Sequence, residues 1–213
     1  MEKTTVLLAD DHRIILEGLK GLLADDFEVV GTVEDGRALL EKVQELRPDV
    51  IVVDIAMPLL NGIDAVKQIK KAGLDTKVVF LTMHHDAVYA KEAFDAGALG
   101  FVLKHSAPSE LTQAIHEALK GNTYISPTIA QEVMQVYRDH VDTKSSAFGS
   151  LTLRQREVMQ LLAEGKSAKE IAKILYISTR TVEFHKYNMM EQLGIKTSAE
   201  LVHFAIKHGI VSI

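Results

Sequence analysis

The chain contains no cysteine, which excludes disulfides and thiolate metal sites and fits a reducing compartment. It has no internal repeat and no low-complexity tract. Long apolar runs are missing as well. The first, after Met1-Glu2-Lys3-Thr4-Thr5, stops after four residues at Asp10, too short for a signal peptide or a membrane span. Proline is scarce, and two of the four prolines bracket one stretch, Pro48 to Pro58. What remains is ordinary for soluble globular protein: 213 residues, 47% hydrophobic and 25% charged, enough for one large domain or two modest ones.

The overall charge of −5 is unevenly spread. Residues 1–121 carry a net −7 and residues 151–213 a net +3, so the two ends suit different partners. The basic excess at the end is too small to establish nucleic-acid binding by itself.

Within the bracketed stretch, Val50-Ile51-Val52-Val53 runs directly into Asp54. A continuous apolar run of this length reads as a parallel strand buried on both faces. Asp54 then falls at its carboxyl end, where open α/β sheets place their ligands. A carboxylate there is a metal ligand, a nucleophile or a turn residue. Four further runs, Val6–Ala9, Glu28–Gly31, Val78–Thr82 and Gly100–Leu103, alternate with helical patterns near Arg13–Ala24, Gly36–Leu46, Gly62–Ala72, Asp86–Ala96 and Pro108–Lys120. The alternation predicts a doubly wound, five-stranded parallel sheet of order 2-1-3-4-5.

In that order strands 1 and 3 are neighbours, so Asp10, Asp11 and Asp54 converge in one crevice. Their repulsion calls for a cation, and a hard oxygen-bound ion such as Mg²⁺ fits. Thr82 and Lys104 end the fourth and fifth strands at the same rim. Together these groups suit phosphoryl transfer, with Asp54 ionised at neutral pH as nucleophile and Thr82 and Lys104 neutralising phosphoryl oxygens.

The residues Asp10-Asp11, Asp54-Ile-Ala-Met-Pro-Leu-Leu-Asn-Gly62, Thr82 and Phe101-Val-Leu-Lys104-His resemble the receiver domain of two-component response regulators, a flavodoxin-like fold. The resemblance covers about 120 residues. It implies Asp54 as the phospho-acceptor. It also implies Mg²⁺, or another divalent cation, held by Asp11, Asp54 and the Ala56 carbonyl, with Asp10 acting largely through water. Thr82 is then coupled to Phe101, which stands where tyrosine is common, so a burial switch is expected in place of a hydroxyl-dependent one.

Beyond residue 121, Tyr124-Ile125-Ser126-Pro127 reads as a helix entry, with Ser126 as N-cap and Pro127 at N1. A helix over about 126–140 and a small, polar segment over 142–150 make residues 122–150 the expected linker. The final segment, 151–213, reads as all helical. Thr152 with Gln155, and Ser167 with Glu170, form capping-box patterns. Tyr176-Ile177-Ser178 is a tight turn before a helix over about Thr179–Leu193, completing a helix-turn-helix. Val182, His185, Met189 and Leu193 are expected to face its core. Thr179, Arg180, Glu183, Phe184, Lys186 and Tyr187 are the expected DNA-facing residues. Glu183 suits cytosine N4, Phe184 a thymine methyl, and Arg180 and Lys186 the phosphates.

This last segment resembles the LuxR-type DNA-binding domain, and the whole chain the NarL/FixJ response regulators, with Glu183 acidic where many members carry lysine. The resemblance implies a cytoplasmic bacterial transcriptional regulator whose only reactions are phosphorylation and dephosphorylation at Asp54. A sensor histidine kinase, double-stranded promoter DNA, a second copy of the phosphorylated chain and RNA polymerase are the expected partners, with no membrane. Two alternatives are a phosphatase of haloacid-dehalogenase type and a protein-interaction module. The first lacks the second aspartate of the Asp-x-Asp pattern, since position 56 is Ala.

Overall fold

The computed structural model describes residues 3–139, 151–208 and 210–211, and these form two compact units. The first unit alternates strand and helix: β1 Thr5–Ala9, α1 Arg13–Leu23, β2 Glu28–Val33, α2 Gly36–Leu46, β3 Val50–Val53, α3 Gly62–Lys71, β4 Lys77–Thr82, α4 Ala87–Asp95, β5 Gly100–Leu103 and α5 Ala107–Leu119. Two further elements follow, β6 Tyr124–Ile125 and α6 Pro127–Arg138.

All pairings are parallel and the strand order is 2-1-3-4-5-6. The expected five-strand order is therefore present, with a sixth strand added at its edge. Tyr124 and Ile125 pair with Gly100 and Phe101. Two residues are too few to show a strand period, which is why the sequence reads there as a helix entry only. Ser126 does precede α6, but its side chain makes no cap. Its amide donates to the Phe101 carbonyl at 2.9 Å, and its hydroxyl accepts from the Leu103 amide at 3.2 Å and donates to Glu110. Tertiary hydrogen bonds have replaced the local one. α6 buries Ile129 and Val133 and packs against α4. The expected linker stretch 142–150 lies outside the described residues.

Strands buried on both faces explain the unbroken apolar runs. On one face Leu8, Val52, Leu81 and Val102 pack against Leu16, Leu19 and Leu23 of α1 and Leu111 and Ile115 of α5. Phe80, Thr82, Phe101 and Leu103 alternate onto the other face and are fully enclosed. Because every strand runs the same way, all carboxyl ends open on one edge.

The second unit holds α7 Leu153–Ala163, α8 Ala168–Ile174, α9 Thr179–Leu193 and α10 Ser198–Lys207. Its core includes Val158, Leu161, Ile171, Val182, Met189 and Leu201. On α9, Val182 and Met189 are buried while His185 and Leu193 are half-buried. Both capping boxes form. Thr152 accepts from the Gln155 amide and Gln155 reaches back to the Thr152 amide, and Ser167 and Glu170 do the same. Thr152→Ala should lower the stability of the helical unit by about 1 kcal/mol. Urea unfolding of the full chain, followed by circular dichroism, measures it; an unchanged midpoint would show the cap to be idle.

Candidate functional site

At the carboxyl edge, β1 delivers Asp10, β3 delivers Asp54, β4 ends in Thr82 and β5 leads into Lys104. β3 stops one residue short of Asp54, whose amide still donates to the Ala9 carbonyl at 2.9 Å. That bond ties the first residue of the loop to the neighbouring strand. Asp10 and Asp54 are only 2% and 5% exposed. Lys104 Nζ lies between them, 2.6 Å from Asp10 Oδ2 and 2.7 Å from Asp54 Oδ2. The other Asp54 oxygen, Oδ1, accepts from the Ile55 amide at 2.7 Å. Asp10 Oδ1 accepts from the His12 amide at 2.9 Å.

Burial pushes the Asp54 carboxyl above its ordinary range, and the Lys104 ammonium pulls it part of the way back. Burial would lower the Lys104 ammonium, but Asp54 and Asp10 outweigh it and hold the lysine more strongly protonated than usual. The cluster is thus stabilised mutually: neither charge would be tolerated in this enclosure without the other.

Asp11 stands beside the pair and is partly exposed. Its Oδ1 is enclosed yet makes no hydrogen bond. His12 Nδ1 approaches it to 2.7 Å, a contact that is an ion pair only when the imidazole is protonated. Carboxylate oxygens of Asp10 and Asp11 and a nitrogen of His12 lie within 4.8 Å of one another. Asp10, Asp11 and Asp54 against one Lys104 leave two formal negative charges in the crevice. An unsatisfied carboxylate oxygen and a local deficit of two charges fit a divalent cation with oxygen ligands.

Thr82 is fully buried, and its Oγ1 accepts from the His84 amide at 3.2 Å. The His84 ring packs at a tilt against Tyr89, and burial lowers its basicity while Asp54 partly restores it. Phe101 lies on the same sheet face as Thr82, fully buried. Ala56 is half-buried in the loop after β3.

Two features here escape a reading by residue type. Gly62, the first residue of α3, sits where a Cβ would lie 2.0 Å from the Asp54 carbonyl oxygen and 2.9 Å from Val53 Cγ1. Its amide donates to the Ile55 carbonyl at 2.8 Å, closing the loop onto Asp54. His12 abuts the acidic pair, and only its position next to Asp10-Asp11 could have flagged it.

In the second unit, Ser178 caps α9 by accepting from the Thr181 amide at 3.1 Å. Thr179, Arg180, Phe184 and Tyr187 are exposed. Glu183 and Lys186 are half-buried, and Lys186 Nζ pairs with Glu183 Oε2 at 2.6 Å while lying 5.1 Å from the centre of the Tyr187 ring. The expected residues therefore share the first turns of one helix, but one of the two expected phosphate contacts is held by a carboxylate. Arg154 of α7 braces the approach to this helix, donating to the Leu175 carbonyl at 2.5 Å and to Glu157 at 2.8 Å.

A doubly wound sheet with acidic strand ends and a bridging lysine defines a receiver-type unit, and the helical unit contains a helix-turn-helix. The family model described as response regulator receiver domain matches residues 6–116, and that of the bacterial regulatory proteins, luxR family, matches residues 149–205. The oxygen regulatory protein NreC of Staphylococcus epidermidis is 36% identical over 97% of this chain and 98% of its own. The transcriptional regulatory protein MctR of Rhizobium johnstonii is 37% identical over 99% of this chain and 96% of its own. Among solved structures, RcsB of Salmonella enterica serovar Typhimurium, bound to a promoter in the presence of the phosphomimetic BeF₃⁻, superposes with a TM-score of 0.65 at 28% identity, covering 97% of this chain and all of that one. The chain belongs to the NarL/FixJ-type response regulators, transcriptional regulators that join a receiver to a LuxR-type DNA-binding domain. No described helix is long and apolar enough to cross a membrane.

Gly62→Ala should destabilise the receiver unit by roughly 1–3 kcal/mol, because backbone rather than a flexible side chain blocks the added methyl. Urea denaturation against the parent chain measures it, and a neutral result would show that the loop after Asp54 yields without cost.

Proposed function

We propose that Asp54 is the phospho-acceptor of this regulator and that its phosphorylation by a sensor histidine kinase promotes dimerisation and promoter binding. The observation that carries the reading is Asp54 Oδ2 held 2.7 Å from Lys104 Nζ, with Asp10 and Asp11 beside it and Thr82 at the same strand edge. An Asp54 carboxylate oxygen attacks phosphorus, the P–N bond of the donor phosphohistidine breaks, and the leaving imidazole takes up a proton. No general base is needed, since an ionised carboxylate has no proton to lose. Asp11, Asp54 and the Ala56 carbonyl would hold Mg²⁺, with Asp10 largely through water, and the ion would offset charge on the phosphoryl oxygens. Lys104 turns from Asp54 Oδ2 to a phosphoryl oxygen. Thr82 donates a hydrogen bond from its hydroxyl to another, since its oxygen already accepts from the His84 amide.

The acyl phosphate adds about one negative charge over the free carboxylate. Drawing Thr82 toward it loosens the packing next to Phe101, which shifts a pre-existing equilibrium of the receiver. The receiver is taken as residues 1–121, the connecting segment as 122–150 and the DNA-binding domain as 151–213. α9 enters the major groove by its first turns, with Thr179, Arg180, Glu183, Phe184, Lys186 and Tyr187 toward the duplex. A two-fold dimer would read paired half-sites. Support comes from RcsB, solved bound to a promoter in the presence of a phosphomimetic. A bacterial cytoplasmic setting goes with these partners, and RNA polymerase would be the further one.

With Mg²⁺ and acetyl phosphate, the wild-type chain should gain at least about tenfold affinity for a promoter duplex, about 1.4 kcal/mol. Asp54→Ala should gain none. Fluorescence anisotropy at fixed salt tests both, and equal binding by the two proteins would sink the switch. Glu183→Lys should strengthen binding to any duplex. It should also steepen the plot of log K against log salt by about 0.9 for each further phosphate that is neutralised, the released Lys186 included. An unchanged slope would place residue 183 away from the DNA.

A further inference from the structure

Three helices of the second unit close with the same pair of backbone hydrogen bonds. After α7, the Gly165 amide donates to the Leu162 carbonyl at 3.0 Å and the Lys166 amide to Leu161 at 2.9 Å. After α9, Gly194 and Ile195 donate to Glu191 and Met190 at 3.2 and 2.8 Å. After α8, Tyr176 and Ile177 donate to Lys173 and Ala172 at 3.4 and 3.0 Å. This closure needs a residue in the left-handed region, which favours glycine. Gly165 and Gly194 meet the need at φ +79° and +67°, whereas Tyr176 adopts φ +53°.

Strain of this kind persists where packing over-determines it or where function requires it. Packing does not account for it here. Tyr176 is 95% exposed, the most exposed large apolar side chain among the described residues. Its ring adds nothing to the core, and glycine would serve the turn better. The ring stands three residues before Thr179, at the mouth of the helix assigned to the major groove, with exposed Lys173 and Arg180 on either side in sequence. A turn leading into a groove-bound helix passes the rim of that groove, where phosphates lie. Tyrosine there offers a neutral hydroxyl donor, with a cation before and after it in the sequence.

We infer that Tyr176 is a DNA-contacting residue, its hydroxyl donating to a backbone phosphate at the groove rim, so that the strained turn is retained for binding and not for folding. The inference rests on the proposed DNA-binding role of this unit and adds a residue outside the recognition helix.

The test uses the full chain, phosphorylated with acetyl phosphate and Mg²⁺, on the promoter duplex that wild type binds best. Tyr176→Gly should raise the thermal midpoint of the helical unit by a few degrees, of the order expected for a small domain. The same variant should weaken DNA binding about fivefold or more. Opposite signs in one variant exclude loss of fold as the cause. Tyr176→Phe should lose affinity without the gain in stability, because only the hydroxyl is removed. Neither variant should change the salt slope, since a neutral donor releases no counterion, while Lys173→Ala should flatten it. Affinities of both variants within twofold of wild type would overturn the inference, as would a change in salt slope for Tyr176→Phe. Failure of wild type to bind any duplex would instead overturn the DNA-binding reading beneath it.

Discussion

The receiver edge depends on one ammonium between two carboxylates. Lys104 lies within 2.7 Å of both Asp10 and Asp54 in a nearly enclosed crevice. Without it, two adjacent buried carboxylates would repel each other, and one would take up a proton. With it, burial still lifts the Asp54 carboxyl above its ordinary range, so the lysine offsets the enclosure only in part. In the proposed reading, the net negative charge that remains and the Asp11 oxygen without a hydrogen bond would suit this edge to a divalent ion and a phosphoryl group. The same enclosure that makes the cluster costly makes it responsive, because a small change of charge acts strongly where water is excluded.

Such a cluster requires strand ends held in fixed register. β1 and β3 are neighbours, Ala9 pairs with Val53, and Asp54 is still bonded to Ala9. Gly62 brings α3 so close to the Asp54 carbonyl that no larger residue fits without displacement. On the far side, Ser126 binds the backbone of Phe101 and Leu103, immediately before Lys104, and directly precedes α6. The strand that delivers the lysine is thus clamped by the segment leading out of the receiver unit.

Much of this was legible because its signals are local. Unbroken apolar runs mark strands buried on both faces, and an acidic or hydroxyl residue ending each run marks the open edge. Capping boxes at Thr152 and Ser167 are written within four residues and formed as read. What escaped was set by tertiary contact. β6 is two residues long and exists only by pairing with β5. Ser126 has the residue type of an N-cap but spends its hydroxyl on Leu103 and Glu110. Lys186 reads as a phosphate contact until Glu183, one turn earlier, is seen to hold it. The left-handed turn at Tyr176 has no sequence signal, because the residue there is not the glycine that marks its two counterparts.

These last features bear on how affinity would be regulated. Non-specific attraction to DNA grows with the number of cations that reach phosphates. On α9, Arg180 is exposed, but Lys186 is tied to Glu183, and much of the exposed surface is aromatic: Phe184 and Tyr187, with Tyr176 just before. In the proposed reading such a face gives one chain a weak electrostatic grip, and neutral groups supply a larger share of its binding. Weak single-site binding makes output depend on engaging two half-sites together, where the second binding event benefits from the proximity set by the first. A strongly basic helix would bind duplex as a monomer and leave the receiver little to control. In the same reading, acidic Glu183, which looks like a defect for DNA binding, would increase the dependence of output on dimerisation.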